Sequence, residues 1–193
     1  MRVLLYAVLG FGLAISSFGQ KLPRQAAPWS IKTLDNKTVT LQQYKGKPVV
    51  VAFMLSTCEH CQKLVSQMNA IQAEFGPKGV VFLAGVVDAT KTVGLSDFVK
   101  RFPPQFPLGT MDESMLLSFG QYGRDKVSYY PMLFFVDRWG TLRTQYQGTD
   151  NLFKGDQFTN IRGEVGRLAA MTQVAALPAA GSAPAPAKPA AKK

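Results

Sequence analysis

The sequence contains few of the side chains that most often bind metals. Its 193 residues include two cysteines, Cys58 and Cys61, and a single histidine, His60, all within four consecutive positions. A structural zinc site normally has four ligands, and three crowded candidates are too few. The sequence therefore predicts no metal site, and the two cysteines need a different explanation.

Acidic residues are also scarce, with 12 Asp and Glu against 22 Lys and Arg and a net charge of +10. Four of the basic residues lie near the chain ends: Arg2, Lys188, Lys192 and Lys193. The others are scattered singly, apart from Lys100-Arg101. Because no basic stripe alternates with aromatic residues, nucleic acid is not expected as a partner.

No apolar run reaches the ~20 residues that span a bilayer. Residues 1–19 instead begin with a positive Met1-Arg2, continue through the apolar stretch 3–15, and end with Ser17 and Gly19 before Gln20. This pattern predicts a cleaved signal peptide over residues 1–19 and a protein exported to the periplasm or cell envelope. The alternative is an uncleaved signal that anchors the protein in the membrane.

The opposite end, residues 176–193, consists almost entirely of Ala, Pro, Gly, Ser and Lys. Such a segment cannot build a core, so we expect a disordered tail. An alternative interpretation is that this basic tail contacts an anionic surface of the cell envelope. Between the ends, the composition predicts one folded domain over residues 28–175, preceded by an extended lead-in over residues 20–27.

The two cysteines lie where a strand meets a helix. Residues 48–55 form an apolar, β-branched run typical of a buried strand, and apolar residues recur at helical spacing after Cys61. The first turn of a helix has unpaired N–H groups and favours an anion, here the Cys58 thiolate. A disulfide that closes only two intervening residues removes little chain entropy, so a redox role is favoured over a structural one.

The remaining segments predict a mixed sheet with helices on both faces. A β-hairpin is expected over residues 29–41, and a buried strand over residues 80–87. A short helix is expected within residues 92–102, with Ser96 as its N-cap. A helix over residues 112–122, strands over 131–136 and 141–148, and a helix over 158–171 complete the pattern. The last helix is expected to bury Phe158, Ile161, Val165 and Leu168.

These features occur in an order that resembles a known family. Lys45-Gly46-Lys47-Pro48 precedes the strand, Cys58-Glu59-His60-Cys61 follows it, and Tyr130-Pro131 comes before a strand that ends in Asp137-Arg138-Trp139-Gly140. The chain resembles the thioredoxin-like redoxins, especially the exported bacterial TlpA/ResA-type thiol–disulfide oxidoreductases. The resemblance covers about residues 28–170. It implies an α/β thioredoxin-like fold with an N-terminal β-hairpin extension.

The resemblance also implies roles for individual residues. Cys58 is the exposed nucleophile, Cys61 is the resolving thiol, and Pro131 is a cis-proline that faces them across the substrate groove. Thr57 and Tyr130 stand beside these positions and are assigned to substrate binding. The expected partners are protein thiols or disulfides and an upstream electron donor, for which a membrane-bound protein is one option. The redox-active Cys58–Cys61 disulfide replaces any cofactor.

The two residues between the cysteines bear on the direction of transfer. His60 precedes the second cysteine as in strongly oxidising DsbA-type motifs, and an imidazole there stabilises the Cys58 thiolate. Glu59 is familiar from ResA-type reductants. The two residues favour opposite directions, so the motif alone does not settle the direction. Because of Glu59 and the TlpA/ResA-like surroundings we expect a reductant, with a dithiol oxidase as the alternative. His60 could also be an incidental surface residue.

Three positions depart from the family pattern. Ala52 stands where thioredoxins carry a buried Asp, Leu64 stands where many ResA-type proteins carry Glu, and Thr57 replaces a frequent Trp. The first two substitutions remove candidate bases for the resolving thiol.

Three other functions are less consistent with the sequence. A thiol peroxidase would carry Pro-x-x-x-Thr-x-x-Cys, which neither cysteine fits. A copper carrier of the Sco type spaces its cysteines by three residues and uses a distant histidine, and this chain has neither feature. A redox-inactive structural domain is disfavoured by the intact cysteine pair.

Overall fold

A computed structural model describes residues 22–89, 94–123 and 128–174. The predicted signal peptide and the predicted tail lie outside these residues. The strands are β1 (Arg24–Gln25), β2 (Ser30–Thr33), β3 (Thr38–Thr40), β4 (Val49–Met54), β5 (Val81–Val86), β6 (Leu108–Thr110), β7 (Met132–Val136) and β8 (Thr141–Gln147). The α-helices are α1 (Glu59–Phe75), α2 (Leu95–Arg101), α3 (Glu113–Gly120) and α4 (Gln157–Val174). Short 3-10 helices cover Leu41–Tyr44 and Asn151–Phe153.

The eight strands form one mixed sheet in the order β1-β8-β7-β4-β5-β6-β2-β3. Strand β4 lies inside the sheet, parallel to β5 and antiparallel to β7. All six residues of β4 are buried, which explains why its sequence is continuously apolar instead of alternating. The predicted N-terminal hairpin is present as β2 and β3.

The sheet separates two apolar clusters, because successive residues of β4 point to opposite faces. Val50, Ala52 and Met54 belong to the cluster that contains the buried residues of α1, α2 and α4. Val49, Val51 and Phe53 belong to the cluster that contains Leu116 and Phe119 of α3. The prediction of an α/β fold with helices on both faces of a mixed sheet is therefore confirmed.

The lead-in contributes a strand of its own. Arg24 pairs with Leu142 and Gln25 with Thr141, so β1 extends the sheet beyond β8. The Arg24 side chain donates a hydrogen bond of 2.6 Å to the carbonyl oxygen of Phe119. Residues assigned to the lead-in from sequence thus share the sheet of the domain, and the boundary at residue 28 stays a prediction.

Two predictions about helices are wrong. The N-cap of α2 is Gly94, and Ser96 lies within the first turn, because a start at Leu95 turns both Leu95 and Phe98 into the core. Phe158 is 36% exposed. The inward position at the start of α4 is taken by Gln157, which is buried and donates a hydrogen bond to Gln67 (2.7 Å).

None of the helices in the described part of the chain is long and apolar enough to cross a membrane.

Candidate functional site

Cys58 lies at the junction that the sequence predicts. Strand β4 ends at Met54, residues 55–57 form a loop, and α1 begins at Glu59 with Cys58 as its N-cap residue. The Cys58 sulfur accepts a hydrogen bond from the backbone N–H of Cys61 at 3.3 Å. Cys58, the predicted nucleophile, therefore occupies the position where a helix offers unpaired N–H donors to an anion.

The surroundings of Cys58 favour its thiolate. The pKa of Cys58 is lowered to about 6, first by the hydrogen bond that the Cys61 thiol donates. The backbone N–H groups of Cys61 and His60 lower this pKa further, as does the charge of His60, while partial burial opposes them. At neutral pH Cys58 is therefore mainly a thiolate, which is the nucleophilic form of cysteine.

Cys61 has the opposite properties. Its side chain is fully buried in the cluster on the α1 face of the sheet, whereas Cys58 is half-buried. The hydrogen bond to Cys58 raises the pKa of Cys61, and burial raises it further. The pair thus consists of a thiolate at Cys58, which is half-buried, and a protonated thiol at Cys61, which is buried.

Asp88 holds the loop before Cys58 and was missed as a site residue by the sequence analysis. Its carboxylate accepts hydrogen bonds from the backbone N–H of Ser56 (2.7 Å), the Ser56 hydroxyl (3.1 Å) and the Thr57 hydroxyl (3.5 Å). Ser56 is buried, and its carbonyl oxygen accepts a hydrogen bond from the Gln62 side chain at 3.0 Å. The loop is therefore bound to the end of β5 on one side and to α1 on the other.

The negative charge of Asp88 also affects the thiol pair, since it raises the pKa of Cys61. Ala52 and Leu64, which stand where the family resemblance implies acidic residues, are fully buried and apolar. Asp88 is thus a carboxylate that acts electrostatically on Cys61 from a different element. No local spacing signals this role, since 32 residues separate Asp88 from Ser56 in the chain.

The Tyr130–Pro131 peptide bond is cis, as the family resemblance implies. In the pairing of β4 with β7, Phe53 lies opposite Met132. Pro131 directly precedes Met132, and the loop to Cys58 directly follows β4. Pro131 and Cys58 therefore lie at the same end of the sheet.

Tyr130 is half-buried between the two apolar clusters. Burial raises its pKa, and the charges of Glu113, Cys61 and Asp88 raise it further. Its hydroxyl is buried and has no hydrogen-bond partner among the described residues. Tyr130 is thus a neutral side chain close to Cys61, with an unused hydroxyl.

The three remaining predicted site residues are exposed: Thr57, Glu59 and His60. All three are within two positions of Cys58 in the chain, and their roles stay predictions. Within the described residues, no group of three or more His, Cys, Asp or Glu side chains is arranged to hold a metal ion.

Comparison with known proteins gives consistent matches. The model of the AhpC/TSA family matches residues 19–145. Thiol-disulfide oxidoreductase ResA of Bacillus anthracis is 28% identical over 151 residues, which cover 76% of this chain and 83% of the relative. Thioredoxin-like protein YneN of Bacillus subtilis is 27% identical over 127 residues, which cover 65% and 71% of the two chains.

Among solved structures, the fold is similar to that of a putative thiol:disulfide interchange protein DsbE from Chlorobium tepidum. The TM-score is 0.62 at 23% sequence identity, and the match covers 77% of this chain and 100% of the other.

Proposed function

Since this chain belongs to the AhpC/TSA family and is a thioredoxin-like thiol–disulfide oxidoreductase, we propose that it acts outside the cytoplasm and reduces protein disulfides through Cys58 and Cys61. The observation that carries the proposal is the contrast within the pair. Cys58 has a pKa of about 6 and is half-buried, whereas Cys61 is buried and has a raised pKa.

This contrast supports an order of reaction in which Cys58 attacks first and Cys61 second. The Cys58 thiolate attacks one sulfur of the substrate disulfide, which breaks the S–S bond, forms a mixed disulfide and releases the first substrate thiolate. Cys61 then loses its proton and attacks the Cys58 sulfur. The Cys58–Cys61 disulfide forms and the second substrate thiolate leaves, so two electrons have passed to the substrate. An upstream donor must return two electrons to the enzyme, and a membrane-bound protein is one option.

The pKa of Cys58 supports the reducing direction. Thioredoxin has a nucleophile pKa near 7 and the oxidant DsbA one near 3.5. One pKa unit is about 1.36 kcal/mol, which for a two-electron couple is about 30 mV. A value of about 6 lies closer to that of thioredoxin than to that of DsbA, so we expect a potential in the reducing range.

The decisive experiment is the reduction potential of Cys58–Cys61, obtained by equilibrating the protein with glutathione buffers and counting free thiols by alkylation. A Cys58→Ser protein is the control, since it can form no intramolecular disulfide. A value between about −270 and −220 mV supports a reductant. A value near −120 mV, as in DsbA, would mean that the protein is a dithiol oxidase. The absence of any reversible transition would overturn both directions.

The proposed location depends on residues 1–19, whose pattern is that of a signal peptide. N-terminal sequencing of the protein recovered from the periplasmic, membrane and cytoplasmic fractions of expressing cells tests it. A first residue of Gln20 supports export with cleavage. An intact Met1 in the membrane fraction supports an anchored form, and an intact Met1 in the cytoplasmic fraction contradicts export.

A further inference from the structure

A cavity of about 620 Å³ lies at the end of the sheet opposite the dithiol. Val49 and Val136, which pair with each other where β4 begins, both line it. Cys58 follows the other end of β4. Since β4 has six residues, its first and last residues are about 17 Å apart. The cavity is therefore separate from the thiol-exchange site, and its volume is within the ~300–1,000 Å³ typical of small-molecule sites.

Three segments that are distant in sequence form the walls. They are the lead-in around Ala26 and Ala27, the 3-10 helix Leu41–Tyr44, and the turn between β7 and β8. The backbone joins them, because Ala26 donates a hydrogen bond to the carbonyl oxygen of Gly140 (2.9 Å) and Gly46 donates one to that of Arg138 (3.1 Å). The cavity is thus a built part of the fold and not a gap between mobile loops.

The lining combines aromatic rings with positive charge. Both tryptophans of the chain, Trp29 and Trp139, line the cavity together with Tyr44. Trp29 is buried, whereas Trp139 is 51% exposed and lies with the Arg138 guanidinium 5.7 Å from its ring centroid. Flat aromatic surfaces of this kind bind apolar rings.

The charged side chains of the lining are Lys45, Lys47, Arg138 and Asp137. Lys45 and Lys47 are exposed. Asp137 is buried, and its carboxylate is occupied by an ion pair with Arg143 (2.6 Å) and by the backbone N–H groups of Trp139 and Thr141 (2.9 Å each). Its negative charge is therefore balanced internally, and the mouth of the cavity favours an anion.

We propose that this cavity binds a small organic anion with a flat apolar body, such as an aromatic carboxylate or sulfonate. The rings of Trp29, Tyr44 and Trp139 contact the body of the ligand, and Lys45, Lys47 and Arg138 attract its charge. The site is independent of thiol exchange, so either conclusion can fail without the other.

The test is a fluorescence titration of the full-length chain with 8-anilino-1-naphthalenesulfonate. Because the two tryptophans of the chain both line the cavity, quenching of tryptophan emission reports on this location. N-phenyl-1-naphthylamine, which has the same rings without the sulfonate, is the matched neutral probe. A Lys45→Gln/Lys47→Gln protein removes two cations, and Lys100→Gln, an exposed lysine of α2 outside the lining, is the matched control.

We expect saturable quenching by the sulfonate with one-site stoichiometry. The neutral probe and the double variant should each bind about tenfold more weakly, since a lost charge-assisted contact is worth about one decade of affinity. The Lys100→Gln protein should bind like wild type. Equal affinity for the two probes, equal loss in the control variant, or no saturable quenching would each overturn the proposal.

Discussion

Cys58 and Cys61 lie one helical turn apart, but their environments differ strongly. Cys58 has donors on its sulfur from the Cys61 thiol and from backbone N–H groups, whereas Cys61 is buried in the apolar cluster on the α1 face of the sheet. Proximity along the chain therefore does not make the two thiols equivalent. A thiol reagent should distinguish them.

The rate of alkylation of the reduced protein by iodoacetamide should follow the ionisation of Cys58. Since the pKa of Cys58 is lowered to about 6, the rate should rise about tenfold per pH unit below pH 6 and level off above pH 7. An ordinary thiol, with a pKa near 8.5, would still gain rate at pH 8. The measurement is the pseudo-first-order rate between pH 4.5 and 9.

Two variants separate the causes. Cys58→Ser should remove the fast reaction, since Cys61 is buried. Cys61→Ala removes the first donor to the Cys58 sulfur, so the midpoint should move upward. A wild-type midpoint above pH 8 would contradict the assignment of Cys58 as the activated thiol.

Asp88→Asn should destabilise the protein. The change removes the charge from a carboxylate that accepts from the Ser56 backbone and from two hydroxyls. Charge-assisted hydrogen bonds are the stronger ones, so we expect a loss of about 1–2 kcal/mol in the free energy of unfolding. Urea titration measures it. Asp97→Asn, an exposed carboxylate in the first turn of α2, is the control, and equal losses in the two variants would contradict this role.

At the residue scale, local pattern predicted the position of Cys58 but not the carboxylate that binds the loop before it. The apolar run before Cys58 and the helical spacing after Cys61 are adjacent in sequence, so the strand–helix junction is visible without a structure. Asp88 is brought to Ser56 only by the parallel pairing of β4 with β5. A single Asp after a strand has no spacing that distinguishes it from a surface residue.

At the scale of elements, the strand β8 approaches the cis-proline loop closely. The Gly148 N–H donates to the carbonyl oxygen of Tyr129 at 2.8 Å. A Cβ atom at Gly148 would lie 2.6 Å from the carbonyl oxygen of Tyr130, which is too close for two non-bonded atoms. Position 148 therefore requires a residue without a Cβ atom, because two backbone segments are in direct contact there.

Gly148→Ala should lower the free energy of unfolding by about 2 kcal/mol, since the backbone around Tyr130 must move. Turnover in an insulin-reduction assay should fall as well, because the displaced segment precedes Pro131. Thermal unfolding and the assay measure the two effects.

Gly163→Ala provides the contrast. Gly163 is exposed in α4, and an added Cβ would meet nothing within 4 Å. Since alanine is the better helix former, this variant should gain up to about 1 kcal/mol. A Gly148→Ala protein as stable as wild type would show that the contact is not restrictive.

The types of the elements were predictable from sequence, because apolar residues repeat differently in buried strands and in amphipathic helices. The ends of the elements were harder to predict. The sequence offers Ser96 as a better cap than Gly94, yet burial of Leu95 and Phe98 decides where α2 begins. In the same way, Phe158 has the correct spacing for the inward face of α4 but is exposed. In this first turn of the helix, Gln157 is the buried residue and bonds to Gln67.

At the scale of the whole molecule, the segment that contains β1 binds the edge of the sheet at β8. Strand β1 pairs with β8, and Arg24 reaches both the carbonyl oxygen of Phe119 (2.6 Å) and the side chain of Gln145 (3.0 Å). One short segment therefore links β8 to the end of α3.

A protein that begins at residue 28 should be less stable than one that begins at residue 20. It loses the β1–β8 hydrogen bonds and both contacts of Arg24, which together are worth about 1–3 kcal/mol. Chemical unfolding of the two proteins measures the difference. Arg24→Gln in the longer protein should reproduce part of the loss. Equal stability of the two proteins would place the domain boundary at residue 28, as the composition alone predicts.

The position of β4 inside the sheet also bears on synthesis. Its parallel partner β5 follows directly after α1, whereas its antiparallel partner β7 begins only at Met132. A growing polypeptide can therefore complete β4, α1 and β5 while the other side of β4 still has unpaired N–H and C=O groups. Open apolar strand edges invite pairing with other chains. A polypeptide released from the ribosome before residue 132 would expose such an edge beside both cysteines and would be a substrate for chaperones and proteases.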